Sequence, residues 1–153
     1  MGSLPRAALE DRSDPFWYRF WGKVWRPQGA TGLALKTVVP ASPEYVTEWL
    51  QRWDNLGPKM SCHSLDWTGA QTRDGYGRII SGVGGEMLAH WAAWSFYHLD
   101  PVPDGCSVTH AAWCRGGKLC MWPGCLILRP GRGKMGDERV QKIIRVYNRE
   151  LEL

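Results

Sequence analysis

The spacing of hydrophobic positions changes several times along this chain, and each change predicts an element. Phe16, Trp17, Phe20, Trp21, Val24 and Trp25 recur at close to helical spacing, and Asp14-Pro15 is a good helix entry. Leu33 to Val39 suggests a short strand. Ser42-Pro43-Glu44 then supplies an N-cap, a first-turn proline and an acid. Tyr45, Val46, Trp49, Leu50 and Trp53 make one apolar stripe behind it, and Asn55 to Pro58 stops the helix. Leu65 to Ile80 reads as strand, turn, strand, with Asp74-Gly75 as the hairpin signal. After a glycine turn at Ser81 to Gly85, Glu86 to Tyr97 reads as a helix, with Met87, Leu88, Trp91 and Trp94 near one side. Two short apolar runs, Cys106 to His110 and Cys125 to Arg129, predict strands on either side of a cysteine-rich loop. Asp137 caps a last helix, in which Val140, Ile143, Ile144, Tyr147 and Leu151 fall on one side.

These elements amount to a small α+β domain. Residues 1–14 are polar and read as an N-terminal arm, residues 15–134 as the body of the domain, and residues 135–153 as a C-terminal amphipathic helix. At 153 residues the length suits one domain. A net charge of +4 permits contact with nucleic acid without requiring it. No run reaches the roughly 18 apolar residues that cross a membrane, and the first residues lack the apolar core of a signal peptide. Arg6 stands where a myristoylation motif needs Ser or Thr. Five cysteines without a leader fit a reducing compartment and metal use. The expected location is therefore cytoplasmic, not secreted.

The chemistry concentrates between Cys106 and Lys134. Cys114, Cys120 and Cys125 are separated by five and four residues, a spacing suited to ligation of a soft metal from a loop. Zinc favours four tetrahedral Cys or His ligands. A fourth must come from elsewhere; Cys62 is the first candidate, and His63 beside it is the substitute. Cys106 is then left as a buried strand thiol. Ten tryptophans are an unusual load for this length. Some fill the core, and the remainder are candidates for contact with a partner protein or for stacking on bases.

Four segments carry a resemblance: FWGKV from Phe20, LDWTGAQTRDGYGRI from Leu65, LAHWAAWSFYHLDPVPDG from Leu88 and THAAWCRGGKLCMWPGCLILRP from Thr109. In that order they resemble the HNH (His-Me finger) homing-endonuclease family common in phages. Its members read roughly FWxKV, then CWxWTGAxxxxGYGRI, then LAHRxAYxxxxGPIPxG and DHLCxxxxCxNPxHLExVTxxEN. The match spans about residues 16–26 and 60–134, with 27–58 as an insertion that carries its own helix. The resemblance implies a ββα-like core braced by a structural zinc, with added N-terminal, insertion and C-terminal helices. It makes His110 the strand-end histidine that serves the family as general base on the attacking water. Three cysteines and one histidine commonly hold the family's zinc. Cys114, Cys120 and Cys125 fall on three of those places, Cys125 standing where the family has His, and Cys62 falls near the fourth.

The same resemblance implies lost chemistry. The family places an Asn, which holds Mg²⁺, nine residues after its last zinc ligand, at the opening of the helix. Here that position is Lys134. An ammonium has no lone pair to ligate with, and at close range it repels a divalent cation by several kcal/mol, roughly. Thr109 stands for the usual Asp, Trp122 for an Asn and Trp91 for an Arg. The expectation is a catalytically degenerate, non-enzymatic module with a structural or binding role in a larger assembly. Such an assembly is a phage particle, with the chain as a capsid-associated minor protein, or a nucleoprotein complex; the resemblance thus adds virion-associated to cytoplasmic as an expected location. In this case His110 is vestigial, kept as a hydrogen-bonded residue. Two alternatives stay open. One is an active Mg²⁺-dependent DNA endonuclease or nickase whose metal ligands lie elsewhere, Asp137 among them. The other is a DNA- or RNA-binding protein without cleavage. Arg73, Arg78, Arg132, Arg139 and Lys142 are its candidate phosphate contacts, set against the plainer reading that they are solvated charges.

Overall fold

The aromatic run after Asp14 builds the centre of the molecule. The structure is a computed structural model and describes residues 2–28, 37–56, 65–80, 84–112, 114 and 117–148. The Asp14 carboxylate accepts from the Phe16 N–H and starts α2 (Pro15–Trp21), with Pro15 in its first turn. Phe16, Trp17, Phe20 and Trp21 are all buried. They meet α4 (Ala89–His98) edge-on, with Phe96 lying 4.9 Å from Trp17 and 5.2 Å from Trp21 between ring centroids. Aromatic pairs at these separations and angles add stability beyond the area they bury.

The helical spacing does not continue to Trp25 as the pattern suggests. The helix ends at Trp21, and β1 (Val24–Gln28) follows. It is the middle strand of a sheet ordered β2-β1-β3, with β2 (Thr37–Pro40) and β3 (Asp66–Trp67) antiparallel on either side. Pairing on both edges satisfies this backbone as strand and overrides its helical pattern.

The first fourteen residues are not a free arm. They hold α1 (Arg6–Glu10), bury Leu4 and Ala8, and the Gly2 N–H donates to the Glu86 carbonyl. The Arg12 guanidinium donates to the carbonyls of Phe96 and Tyr97 at the end of α4.

The insertion helix α3 (Pro43–Leu56) starts where expected, with the Ser42 hydroxyl accepting from the Tyr45 N–H. Val46 is buried, and Tyr45, Trp49 and Leu50 pack against the core. The side chain of Trp53 lies outside the described ones, as do residues 57 and 58. Asp74-Gly75 does form a turn, with Gly75 at φ 88°. The strands on either side of it part company, however. β3 joins β1, whereas β4 (Arg78–Ile80) pairs with β5 (Glu86–Leu88). Glu86 to Leu88 is thus strand rather than helix, and α4 begins only at Ala89. Gly84 and Gly85, at φ 76° and 108°, turn the chain back onto β4.

The last third is a strand-strand-helix unit. β6 (Cys106–His110) and β7 (Leu126–Pro130) pair antiparallel, His110 opposite Leu126, and α5 (Glu138–Asn148) packs on β7. Asp137 caps α5 as read from the sequence, its Oδ1 accepting from the N–H groups of Arg139 and Val140. Val140, Ile144 and Asn148 are the buried side of the helix. No helix among the described residues is long and apolar enough to cross a membrane.

Candidate metal centre and the His110 cleft

The loop between β6 and β7 is tied down at several of its described residues. The Ala111 N–H donates to the Cys125 carbonyl at 2.7 Å and the Cys114 N–H to the Ala111 carbonyl at 3.0 Å. Two 3-10 turns, Gly117–Leu119 and Pro123–Cys125, then present Cys120 and Cys125. The loop also reaches across the molecule. The Met121 N–H donates to the Leu65 carbonyl at 2.8 Å, and Asp66 pairs with Cys120 in an isolated bridge.

The result is a cluster of Cys114, Cys120 and Cys125, whose sulfurs all lie within 4.8 Å of one another. Ligands at a Zn–S distance of about 2.3 Å stand roughly 3.8 Å apart in a tetrahedron, so the cluster is close to a ligating geometry. Cys120 and Cys125 are buried and Cys114 is partly exposed. The Trp122 N–H points at the Cys120 sulfur from 3.4 Å. The crowded thiols push the acidity of Cys125 far down: the hydrogen bond its S–H donates to Cys120 favours the protonated thiol, and burial and the charge of Cys120 both oppose its thiolate. A bound cation removes that penalty. These three cysteines can hold a metal ion. Cys62 and His63 lie outside the described residues. Cys106 stands apart in β6, its thiol held protonated by burial.

His110 ends β6 beside the cluster. Its Nε2 lies 2.9 Å from the Cys120 carbonyl. A carbonyl only accepts, so Nε2 carries the proton and Nδ1 is the basic atom. Burial lowers the pKa of the ring, with the Cys120 carbonyl opposing the shift. His90, on α4, repeats the arrangement: its Nε2 lies 3.0 Å from the Val108 carbonyl, and its buried Nδ1 has no partner among the described residues. Burial first, and His110 second, lower the pKa of His90 to about 4. The rings of Tyr76, His90 and His110 follow one another, with centroids 5.5 and 5.0 Å apart. They line a cleft of about 500 Å³ together with Trp91, Thr109 and Lys118. Among its described lining residues there is no Asp, Glu, Asn or Gln.

The remaining candidates lie elsewhere. Lys134 sits in the turn before α5. Its side chain runs past Gly105, where an added Cβ would fall 3.7 Å from the lysine Cγ. Gly105 precedes β6 at the end opposite His110, and the strand between them is about 13 Å long at 3.3 Å per residue. Asp137 is engaged as the helix cap. Arg78 is structural: it donates to the Gln71 carbonyl at 3.0 Å and pairs with Glu86 across β4 and β5. Arg73, Arg132, Arg139 and Lys142 are exposed. The tryptophans mostly point inward. Trp17, Trp21, Trp67, Trp94 and Trp122 are buried and Trp49 and Trp91 pack against the core; among the described side chains only Trp25, at 40% exposure, is open to a partner. The grouping of Tyr76, His90 and Lys118 around His110 is not legible in the sequence, because they come from three separate segments with no shared spacing. Compared with protein-family models, curated proteins and solved structures, the chain matches none of them.

Proposed function

We propose that this chain is a zinc-braced, catalytically degenerate His-Me finger domain that serves as a structural or binding module in a larger assembly. One observation carries the reading. The described walls of the His110 cleft offer no carboxylate and no side-chain amide, whereas Mg²⁺ needs hard oxygen ligands in near-octahedral array. The position that matches the family's metal-binding Asn belongs to Lys134, which lies by Gly105 and away from the cleft. The β6-β7-α5 order, with a cysteine cluster in the strand connection and a histidine at the end of β6, supports the His-Me finger assignment.

The cysteine cluster fits zinc. The bond from Met121 to Leu65 supports Cys62 as fourth ligand, since Cys62 is three residues from Leu65 and that much chain spans at most about 10 Å. A fourfold protein shell leaves zinc no open position and gives it a bracing role. The nuclease reading draws support from His110, whose Nε2–H is fixed by a carbonyl and whose Nδ1 is left basic.

A plasmid-nicking assay with Mg²⁺ and Mn²⁺ decides between the two. Wild type, His110→Ala and Lys134→Asn should all be silent while retaining one zinc each. Cleavage by wild type that vanishes in His110→Ala would overturn the non-catalytic reading. Activity gained by Lys134→Asn would show that this residue does reach the cleft.

A further inference from the structure

The three members of the cysteine cluster are not equivalent. Cys120 is buried and held at four points. Its N–H donates to the Gly117 carbonyl, its own carbonyl accepts from His110, its backbone bridges to Asp66, and the Trp122 N–H points at its sulfur. Cys125 is buried too, and Cys114 alone of the three is partly open to solvent. Cys114 and Cys125 share one backbone neighbour. The Ala111 N–H donates to the Cys125 carbonyl, and the Ala111 carbonyl accepts from the Cys114 N–H. Those two bonds keep the pair together whether or not a metal lies between their sulfurs.

From this placement we infer that Cys114 and Cys125 form a site of reversible oxidation, closing to a disulfide under peroxide and opening the metal brace. The inference rests on the cluster being a zinc brace, two of whose ligands the disulfide removes. The sulfurs lie within 4.8 Å of each other. A disulfide needs about 2.05 Å, and rotation about χ1 carries a sulfur through about 3 Å. A metal-bound thiol is already deprotonated. The Cys114 sulfur, being the accessible one, attacks the peroxide O–O bond, takes one oxygen as S–OH and releases hydroxide. The Cys125 thiolate then attacks that sulfur. The S–O bond breaks, a second hydroxide leaves and the S–S bond forms. Each sulfur gives up one electron, the peroxide takes both, and two protons from solvent turn the hydroxides into water. A dithiol reverses the change. The same loop carries Met121 and Trp122, whose contacts with Leu65 and Trp49 join it to the start of β3 and to α3, so the oxidation is felt beyond the cluster.

The test treats the full chain with hydrogen peroxide and follows zinc release with a colorimetric chelator, the melting temperature and the mass spectrum of a tryptic digest. Trypsin separates residues 79–115, with Cys114, from residues 119–132, with Cys120 and Cys125, and from residues 60–73, with Cys62. The expected product joins 79–115 to 119–132, with fragment ions placing the link on Cys125. One zinc leaves per link, the melting temperature falls, and a dithiol with added zinc restores both. Cys106 shares the first peptide, so the link must persist in Cys106→Ala. Cys114→His keeps a zinc ligand without an oxidisable sulfur, and should release the metal roughly tenfold more slowly. A link to Cys120 or Cys62, a link that Cys106→Ala abolishes, or release from Cys114→His at the wild-type rate would overturn the site. A chain that keeps its zinc through the treatment and forms no link would also overturn it, and would leave the brace standing. A chain that binds no zinc yet forms the link would sink the brace and leave the oxidation site.

Discussion

Trp67 explains why two glycines frame the turn that follows it. Its indole Nε1–H donates to the Ala70 carbonyl at 2.8 Å, which folds the chain back along the ring. A Cβ on Gly69 would fall 2.7 Å from the indole Cζ2, and one on Gly77 would fall 2.6 Å from Cδ1 and 2.9 Å from the Ala89 methyl. Both distances are too short for carbon atoms, so the ring is held between two bare backbones. Gly77→Ala should therefore destabilise by about 1–3 kcal/mol through overpacking, read from urea unfolding; a loss near zero would show that the ring can shift. His90 makes a second prediction. Its folded pKa of about 4 lies below the ordinary histidine value of 6.5. Above pH 6.5 both states are neutral and its stabilising contribution is complete. As pH falls from 6.5 towards 4, the unfolded chain takes up a proton that the folded chain refuses, and stability drops by on the order of 3 kcal/mol. His90→Gln should flatten that part of the stability–pH curve relative to wild type. Parallel curves would mean that the ring titrates freely in the fold.

At the scale of elements, α5 is stitched to the sheet by one side chain. The Asn148 Nδ2 donates to the Leu128 carbonyl and its Oδ1 accepts from the Leu128 N–H, both at 3.0 Å. The amide thus closes the edge of β7 that β6 leaves open, as a further strand would. Asn148→Ala should cost about 2–3 kcal/mol, since it strands a buried donor and a buried acceptor together. Amide exchange at Leu128 should rise in step; an unprotected Leu128 in wild type would count against the stitch. This helix and the two strands before it were legible in the sequence. Apolar runs, the cysteine loop and the Asp137 cap bound them on every side. The elements around Trp21 and Glu86 were less so. An apolar residue every three or four positions looks helical through Trp25, and nothing local says that β2 and β3 will claim Val24 and its neighbours. Leu4 and Ala8 are likewise too few to signal that the first residues dock. The cysteine cluster was visible because its ligands are adjacent in sequence, whereas the cleft walls are adjacent only in space.

For the molecule as a whole, the cysteine loop ties two of the three sheets together, bridging Cys120, between β6 and β7, to Asp66 of β3. Trp122, two residues past Cys120, packs edge-on against Trp49 of the insertion helix at 5.3 Å. On the proposed zinc brace, a chelator should loosen α3 as well as the loop, lowering the melting temperature and shifting tryptophan emission to the red. Cys120→Ser should reproduce the effect without a chelator. Purified protein carrying far less than one zinc per chain, yet equally stable, would refute the brace.

The bond from Arg12 to the Phe96 carbonyl joins residues 84 positions apart. On a ribosome adding about 5–20 residues per second, the first two helices wait roughly 4–17 s before α4 emerges to receive them. Throughout that interval four of the largest side chains of the core, Phe16, Trp17, Phe20 and Trp21, are presented to whatever surrounds the nascent chain. The aromatic richness that fills the finished centre is thus, while the chain is being made, a stretch of exposed apolar surface of the kind that favours misassociation.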